Sequence, residues 1–125
     1  MRDYDEAIDF YVNKLGFVLL TDTRPVPGIR IVRVAPAEGN QTVIVFEKAV
    51  TEADWARLGK QFPGMTLTLF TDDIEATVAQ LKANGVELLE PVRRAPWGIQ
   101  TVIADLYGNI FDVLQPSPVM QTVRP

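Results

Sequence analysis

Asp112 has the strongest claim to chemistry in this sequence. It stands in "NIFDVLQ", residues 109–115, as the lone acid of an alternating apolar run. An acid inside such a strand is either solvated or held there for a purpose, because a buried carboxylate must be paired or take up a proton. The chain has no histidine and no cysteine. That removes the commonest general base at neutral pH, the commonest metal ligand, and all thiolates and disulfides. Any reaction has to run on carboxylates, Lys, Tyr, Ser/Thr or a bound cofactor. No phosphate-binding glycine loop, nucleophile elbow or dinucleotide fingerprint is present.

Composition narrows the setting. The 125 residues suit one compact domain, and 47% apolar content can fill a core. A net charge of −4 argues against a nucleic-acid partner, which would need a basic face. No apolar run approaches the length of a membrane span. The opening "MRDYDEAIDF" places acids ahead of any apolar stretch, unlike a secretory leader. Together with the lack of cysteine, this fits a cytoplasmic protein.

The elements that must position Asp112 are written twice. Residues 3–46 set against residues 69 positions later match at 11 of 44 places without a gap, where composition alone gives about 3. The matches include Asp3/Asp72, Glu6/Glu75, Gly16/Gly85, Leu19-Leu20/Leu88-Leu89, Arg24/Arg93 and Gly39-Asn40/Gly108-Asn109. Each copy reads as a helix opened by Asp-x-x-Glu and closed by glycine, then three strands. The strands are expected at 17–22, 29–35 and 41–47, and at 86–90, 99–105 and 109–115. "RPVPG" and "RRAPWG" read as loops between the first two strands of each set.

The helical stripes are expected at Ile8, Tyr11, Val12 and Leu15 in copy one, and at Val78, Leu81 and Lys82 in copy two. A further strand, 65–71, leads copy two. The duplication predicts its equivalent ending at residue 2, so the first module's leading edge has to be covered by residues ahead of Met1 or by a partner chain. Between the copies, "TEADWARLGKQF" reads as one short helix capped by Thr51. Its stripe is Trp55, Leu58 and Phe62, with Trp55 as a packing anchor. The expected organisation is a first module at 1–47, a linker at 48–64, a second module at 65–116 and a tail at 117–125.

Tandem β-α-β-β-β modules, the opening "RDYDEAIDFYVNKLGF", the stretch "APWGIQT" and the closing "DLYGNIFDVLQ" resemble the vicinal oxygen chelate superfamily. That group holds glyoxalase I, bleomycin-resistance proteins and extradiol dioxygenases. The resemblance implies an α+β fold whose two modules form a curved mixed sheet, a cup. It also implies ligand positions on the first and last strand of each module, usually His or Gln and Glu. At those positions this chain has Asp112, its duplicate Val43, and Thr66; the fourth precedes Met1. Catalytic zinc keeps three protein ligands, mostly His or carboxylate, so no metal is expected at this set.

Strand alternation then gives the cup lining. Ile110, Asp112 and Leu114 face in, with Thr66, Thr68 and Phe70 beside them and Gln41, Val43 and Val45 in copy one. On the middle strands Ile31, Arg33, Gln100 and Val102 face in, while Val32, Val34, Ile99 and Ile103 go to the helices. Trp97 is either a wall of the pocket or a cap on the core. Asp112 is the candidate catalytic or anchoring group. Arg33, Thr66, Thr68, Phe70, Trp97, Gln100 and Leu114 are the candidate ligand contacts, and each polar one also has a plain structural reading.

A mostly apolar cup with few polar groups is the composition of a small-molecule pocket. The expected protein is metal-free, binds a small apolar or aromatic molecule, forms a homodimer and needs no cofactor. The alternatives are a metal-dependent lyase, isomerase or dioxygenase of the glyoxalase type, and a non-catalytic scaffold.

Overall fold

The computed structural model of the chain describes residues 1–40, 42–60 and 67–118. It forms two compact units, Met1–Lys60 and Gln61–Pro125. Among the described residues no helix is long and apolar enough to cross a membrane.

In the first unit, α1 (Tyr4–Ile8) starts at Asp3, whose carboxylate accepts from the Glu6 amide at 2.9 Å. The helix does not continue as α. Residues Asp9–Lys14 form a π-helical stretch, which widens the turn and shifts the buried side. Ala7, Phe10 and Tyr11 are buried, whereas Ile8, Val12 and Leu15 of the expected stripe are only half-buried. The shift builds an aromatic cluster: the Tyr11 ring meets those of Phe10, Phe17 and Phe46 edge-on at centroid distances of 5.7, 5.4 and 5.0 Å.

Strands β1 (Val18–Val26), β2 (Ile29–Ala35) and β3 (Ile44–Val45) form an antiparallel sheet in that order. Val32 and Val34 are fully buried. The strand expected at 41–47 is thus reduced to two residues, and Gln41 lies outside the described residues. Met1 supplies one rung of parallel pairing beside this segment. Its amino group donates to the Glu47 carbonyl, and its own carbonyl accepts from the Ala49 amide, each at 2.8 Å.

Arg30 ties the outer end of the unit together. It donates to Asp22 at 2.9 and 3.0 Å and to Asp5 at 3.0 Å, with its guanidinium carbon 5.1 Å from the Tyr4 ring centroid. The Arg30 hydrogen bond holds the Asp22 carboxyl below its ordinary range.

The linker helix α2 (Glu52–Ala56) is shorter than its sequence suggests. Thr51 and Asp54 make a reciprocal capping box, but the helix ends at Ala56, ahead of Gly59 in the left-handed conformation at φ 74°. Trp55 is therefore no core anchor; it is 47% exposed. Phe62 lies outside the described residues.

In the second unit, β4 (Leu67–Phe70) leads into α3 (Ile74–Ala83), followed by β5 (Leu88–Ala95), β6 (Gly98–Ala104) and β7 (Ile110–Pro116). The sheet order is β4-β7-β6-β5, with β4 parallel to β7 and the other pairs antiparallel. The cap of α3 is Asp73, one residue later than Asp-x-x-Glu implied. Its carboxylate takes the Ala76 amide, and the Gln115 side chain takes that of Ile74. Ile74, Val78 and Leu81 are buried, whereas Lys82 is exposed. Against them lie Thr101, Ile103, Phe111 and Val113, the most buried face of the sheet, worth about 1.5–3 kcal/mol for each large apolar side chain.

The first three residues of each segment expected as a loop, 24–26 and 93–95, are strand. Strand β1 runs to Val26 and β5 to Ala95, leaving two-residue turns. Pro25 and Pro91 are accommodated because β1 and β5 are sheet edges and each proline falls in a register shift. A missing N–H costs little at such places. An earlier irregularity recurs at duplicated positions, Leu20 and Leu89.

Candidate functional site

Strand β7 carries Asp112 at the middle of the second sheet. It is flanked by β4 on one side and β6 on the other, so its two Cα partners are Thr68 and Val102. Directly opposed residues project to the same side of a sheet. Leu114 is likewise flanked by Phe70 and Gln100. Asp112, Leu114, Thr68, Phe70, Gln100 and Val102 therefore share one face, the face away from α3. Trp97 joins them from the β5–β6 turn, its indole Nε1 donating to Gln100 Oε1. Of the sequence candidates, Thr68, Phe70, Trp97, Gln100, Asp112 and Leu114 come together on this face. Thr66 lies outside the described residues. Arg33 belongs to the other unit, exposed on β2 opposite Thr21 and Val45.

The face has the character of an open platform. Phe70 is 57% exposed and Trp97 42%. Leu114 between the strands is buried, and Asp112 is half-buried. The Asp112 carboxylate makes no hydrogen bond or ion pair with another described residue. It is thus an acceptor without a partner among the described residues.

The buried acid of the closing motif is a different residue, Asp105, 7% exposed. Its carboxylate accepts from the amides of Tyr107 and Asn109 at 2.8 and 2.9 Å and from the Asn109 side chain at 2.8 Å. This is an Asx-type turn lock. The spacing Asp-x-x-Gly-Asn is its signal in the sequence, although the alternating run around Asp112 is the more conspicuous feature.

Clefts elsewhere in the unit are lined by mixed charged and apolar groups. One of about 640 Å³ runs along Lys82 and Gly85–Pro91. Another, of about 530 Å³, lies at the start of α3, lined by Asp72, Asp73, Glu75, Arg93, Arg94 and Gln115 among others. Asp112 borders neither.

Among the described residues, the donors around Asp112 do not fit a divalent metal. Asp112 has a hydroxyl and a valine for neighbours in its row, and Val43 stands at its duplicate position. Among the described residues no three His, Cys, Asp or Glu side chains converge. Transition-metal sites of this kind need nitrogen or several carboxylates.

The geometry has parallels in known proteins. A crystal structure of TnmS3, an antibiotic binding protein from Streptomyces sp. CB03234, is 35% identical, with a TM-score of 0.71, covering 94% of this chain and 89% of that one. A superfamily member from Sphaerobacter thermophilus is 32% identical with a TM-score of 0.73, covering 92% and 90%. A protein of Shewanella frigidimarina is 37% identical over 117 residues, 92% of this chain and 87% of its own length. The sequence pattern of the Glyoxalase/Bleomycin resistance protein/Dioxygenase superfamily matches residues 1–113. On fold and sequence together, the chain belongs to the Glyoxalase/Bleomycin resistance protein/Dioxygenase superfamily.

Proposed function

We propose that this chain is a small-molecule binding protein that works without a resident metal. Its ligand is a planar, largely apolar or aromatic molecule lying on the open face of the second sheet. The observation that carries this reading is the pairing of two exposed rings, Phe70 and Trp97, with one acceptor unpartnered among the described residues, Asp112, on a single face. Exposed rings give a ligand dispersion and stacking surface, and one half-buried carboxylate selects a hydroxyl or amine on it. The likeness to an antibiotic binding protein at 35% identity supports a binding role over a catalytic one.

Calorimetric titration with planar aromatic compounds tests this. Wild type is expected to bind at least one such scaffold, with Asp112→Ala and Trp97→Ala each weakening it about tenfold or more. Chelator treatment is expected to leave binding unchanged. Near-stoichiometric Ni, Zn, Fe or Mn in protein purified without chelator would overturn the metal-free reading. Binding unaffected by Asp112→Ala would remove the carboxylate from the site.

A further inference from the structure

The open face carries a cation at one edge. Arg93 on β5 opposes Gln100 on β6; Gln100 opposes Leu114, and Leu114 opposes Phe70. One cross-strand row therefore reads Arg93, Gln100, Leu114, Phe70, with the Trp97 indole hydrogen-bonded into it at Gln100. The next row reads Glu90, Val102, Asp112, Thr68 and carries the acids. Arg93 is exposed and makes no ion pair or hydrogen bond with another described residue. Its neighbour Arg94 alternates to the opposite face: it opposes Ile99, which opposes Gln115, whose side chain caps α3. Arg93 also borders the cleft at the start of α3, but its register directs its Cα–Cβ bond to the side of Gln100.

Resting on the binding reading above, we infer that the ligand is an aromatic anion and that Arg93 determines this specificity. Strands lie about 4.8 Å apart, so the row from Arg93 to Phe70 spans about 15 Å. That is room for two or three rings with a charged group at one end. The guanidinium fork suits a carboxylate or sulfonate, which it grips with two parallel hydrogen bonds. The acids of the adjoining row repel the same group. Orientation is thereby fixed: the anionic end lies at Arg93, the ring body over Leu114 against Phe70 and Trp97, and any hydroxyl or amine toward Asp112.

Two dyes with the same ring body separate the two claims: 8-anilinonaphthalene-1-sulfonate and its uncharged counterpart N-phenyl-1-naphthylamine, each titrated by fluorescence into the full chain. Wild type is expected to bind the sulfonate about tenfold more tightly than the neutral dye. Arg93→Gln is expected to bring the two affinities within about twofold, by weakening the sulfonate. Arg94→Gln, an equal change in net charge on the other face, is expected to keep the wild-type preference. A preference unaltered in Arg93→Gln, or lost equally in Arg94→Gln, overturns the inference while the aromatic platform stands. Failure of the neutral dye to bind at all overturns the platform, and the inference with it.

Discussion

Gly39-Asn40 and Gly108-Asn109 are the same dipeptide at the same place in a repeat, and both glycines have positive φ, 80° and 95°. The strands beyond the two turns differ. After the second, the chain enters a seven-residue strand; after the first, the strand among the described residues is Ile44–Val45, followed by one backbone hydrogen bond from the Phe46 amide to the Val32 carbonyl. Two physical differences account for this. The second turn is locked by the three hydrogen bonds to the Asp105 carboxylate, whereas the equivalent position in the first copy is Pro36, which has no acceptor side chain. The second strand is also paired on both sides, by β4 and β6, while among the described residues of the first sheet β3 pairs with β2 alone. A turn dipeptide permits a hairpin; a register lock and partners on both flanks are what extend it. The platform bearing Asp112 exists in the second module because its last strand is secured in this way.

The largest test of this contrast is at Gly98. It sits between β5 and β7, and a Cβ there would fall 2.2 Å from the Gln115 carbonyl oxygen, at a φ of +145°. Its counterpart in the first copy is Ile29, half-exposed, with a Cβ of its own. Gly98→Ala is expected to cost about 3 kcal/mol or more by denaturant unfolding, and Ile29→Ala about 1 kcal/mol or less. Equal effects would mean that β7 does not press on Gly98 in solution.

Asp105→Ala comes next, at about 2 kcal/mol, because it strands part-buried amide donors. Pro36→Ala is expected to change stability by about 0.5 kcal/mol or less. Hydrogen exchange sharpens the comparison further: Asp105→Ala is expected to lower the protection of β7 amides toward that of Ile44 and Val45. Unchanged β7 protection would place the strand's stability entirely in its neighbours.

The smallest effect is a response to acid in the first unit. The Asp54 carboxyl is held down to about 2, first by the Thr51 backbone amide and then by that of Val50. Its folded value lies below the unfolded one, about 3.9. The capping contribution is therefore present above about pH 4 and is lost as pH falls toward 2. Carboxyl-carbon NMR is expected to give an Asp54 midpoint near 2. Thr51→Ala keeps the backbone donors but removes the hydroxyl, so it raises the midpoint only part of the way to 3.9. A wild-type midpoint near 4 would show that the cap does not form in solution.

Much of this architecture is readable from residue types alone. Alternation and the repeat locate seven strands and the two main helices, because side-chain period and glycine stops are local properties. They also place Thr68, Phe70, Gln100, Asp112 and Leu114 on one face, since parity along a strand is local once the strand is granted. Sequence and structure part wherever a distant partner decides. The π-helical turn at Asp9–Lys14 keeps Tyr11 buried, as its place in the stripe implied, but sets Phe10 beside it in place of Ile8, Val12 and Leu15. The edge position of β1 and β5 lets strand run through Pro25 and Pro91. Gln115, distant in sequence, takes the first amide of α3.

The same division holds at the site. Sequence determined that Asp112 is an acid in an apolar strand and that no histidine or cysteine assists it. Only tertiary structure decided that Asp105, rather than Asp112, is the buried carboxylate, and that Arg93 pairs with Gln100 and Arg94 with Ile99. Burial depends on what packs above a residue, and facing in a bulged edge strand depends on the register set by its neighbour; neither is carried by the residue itself.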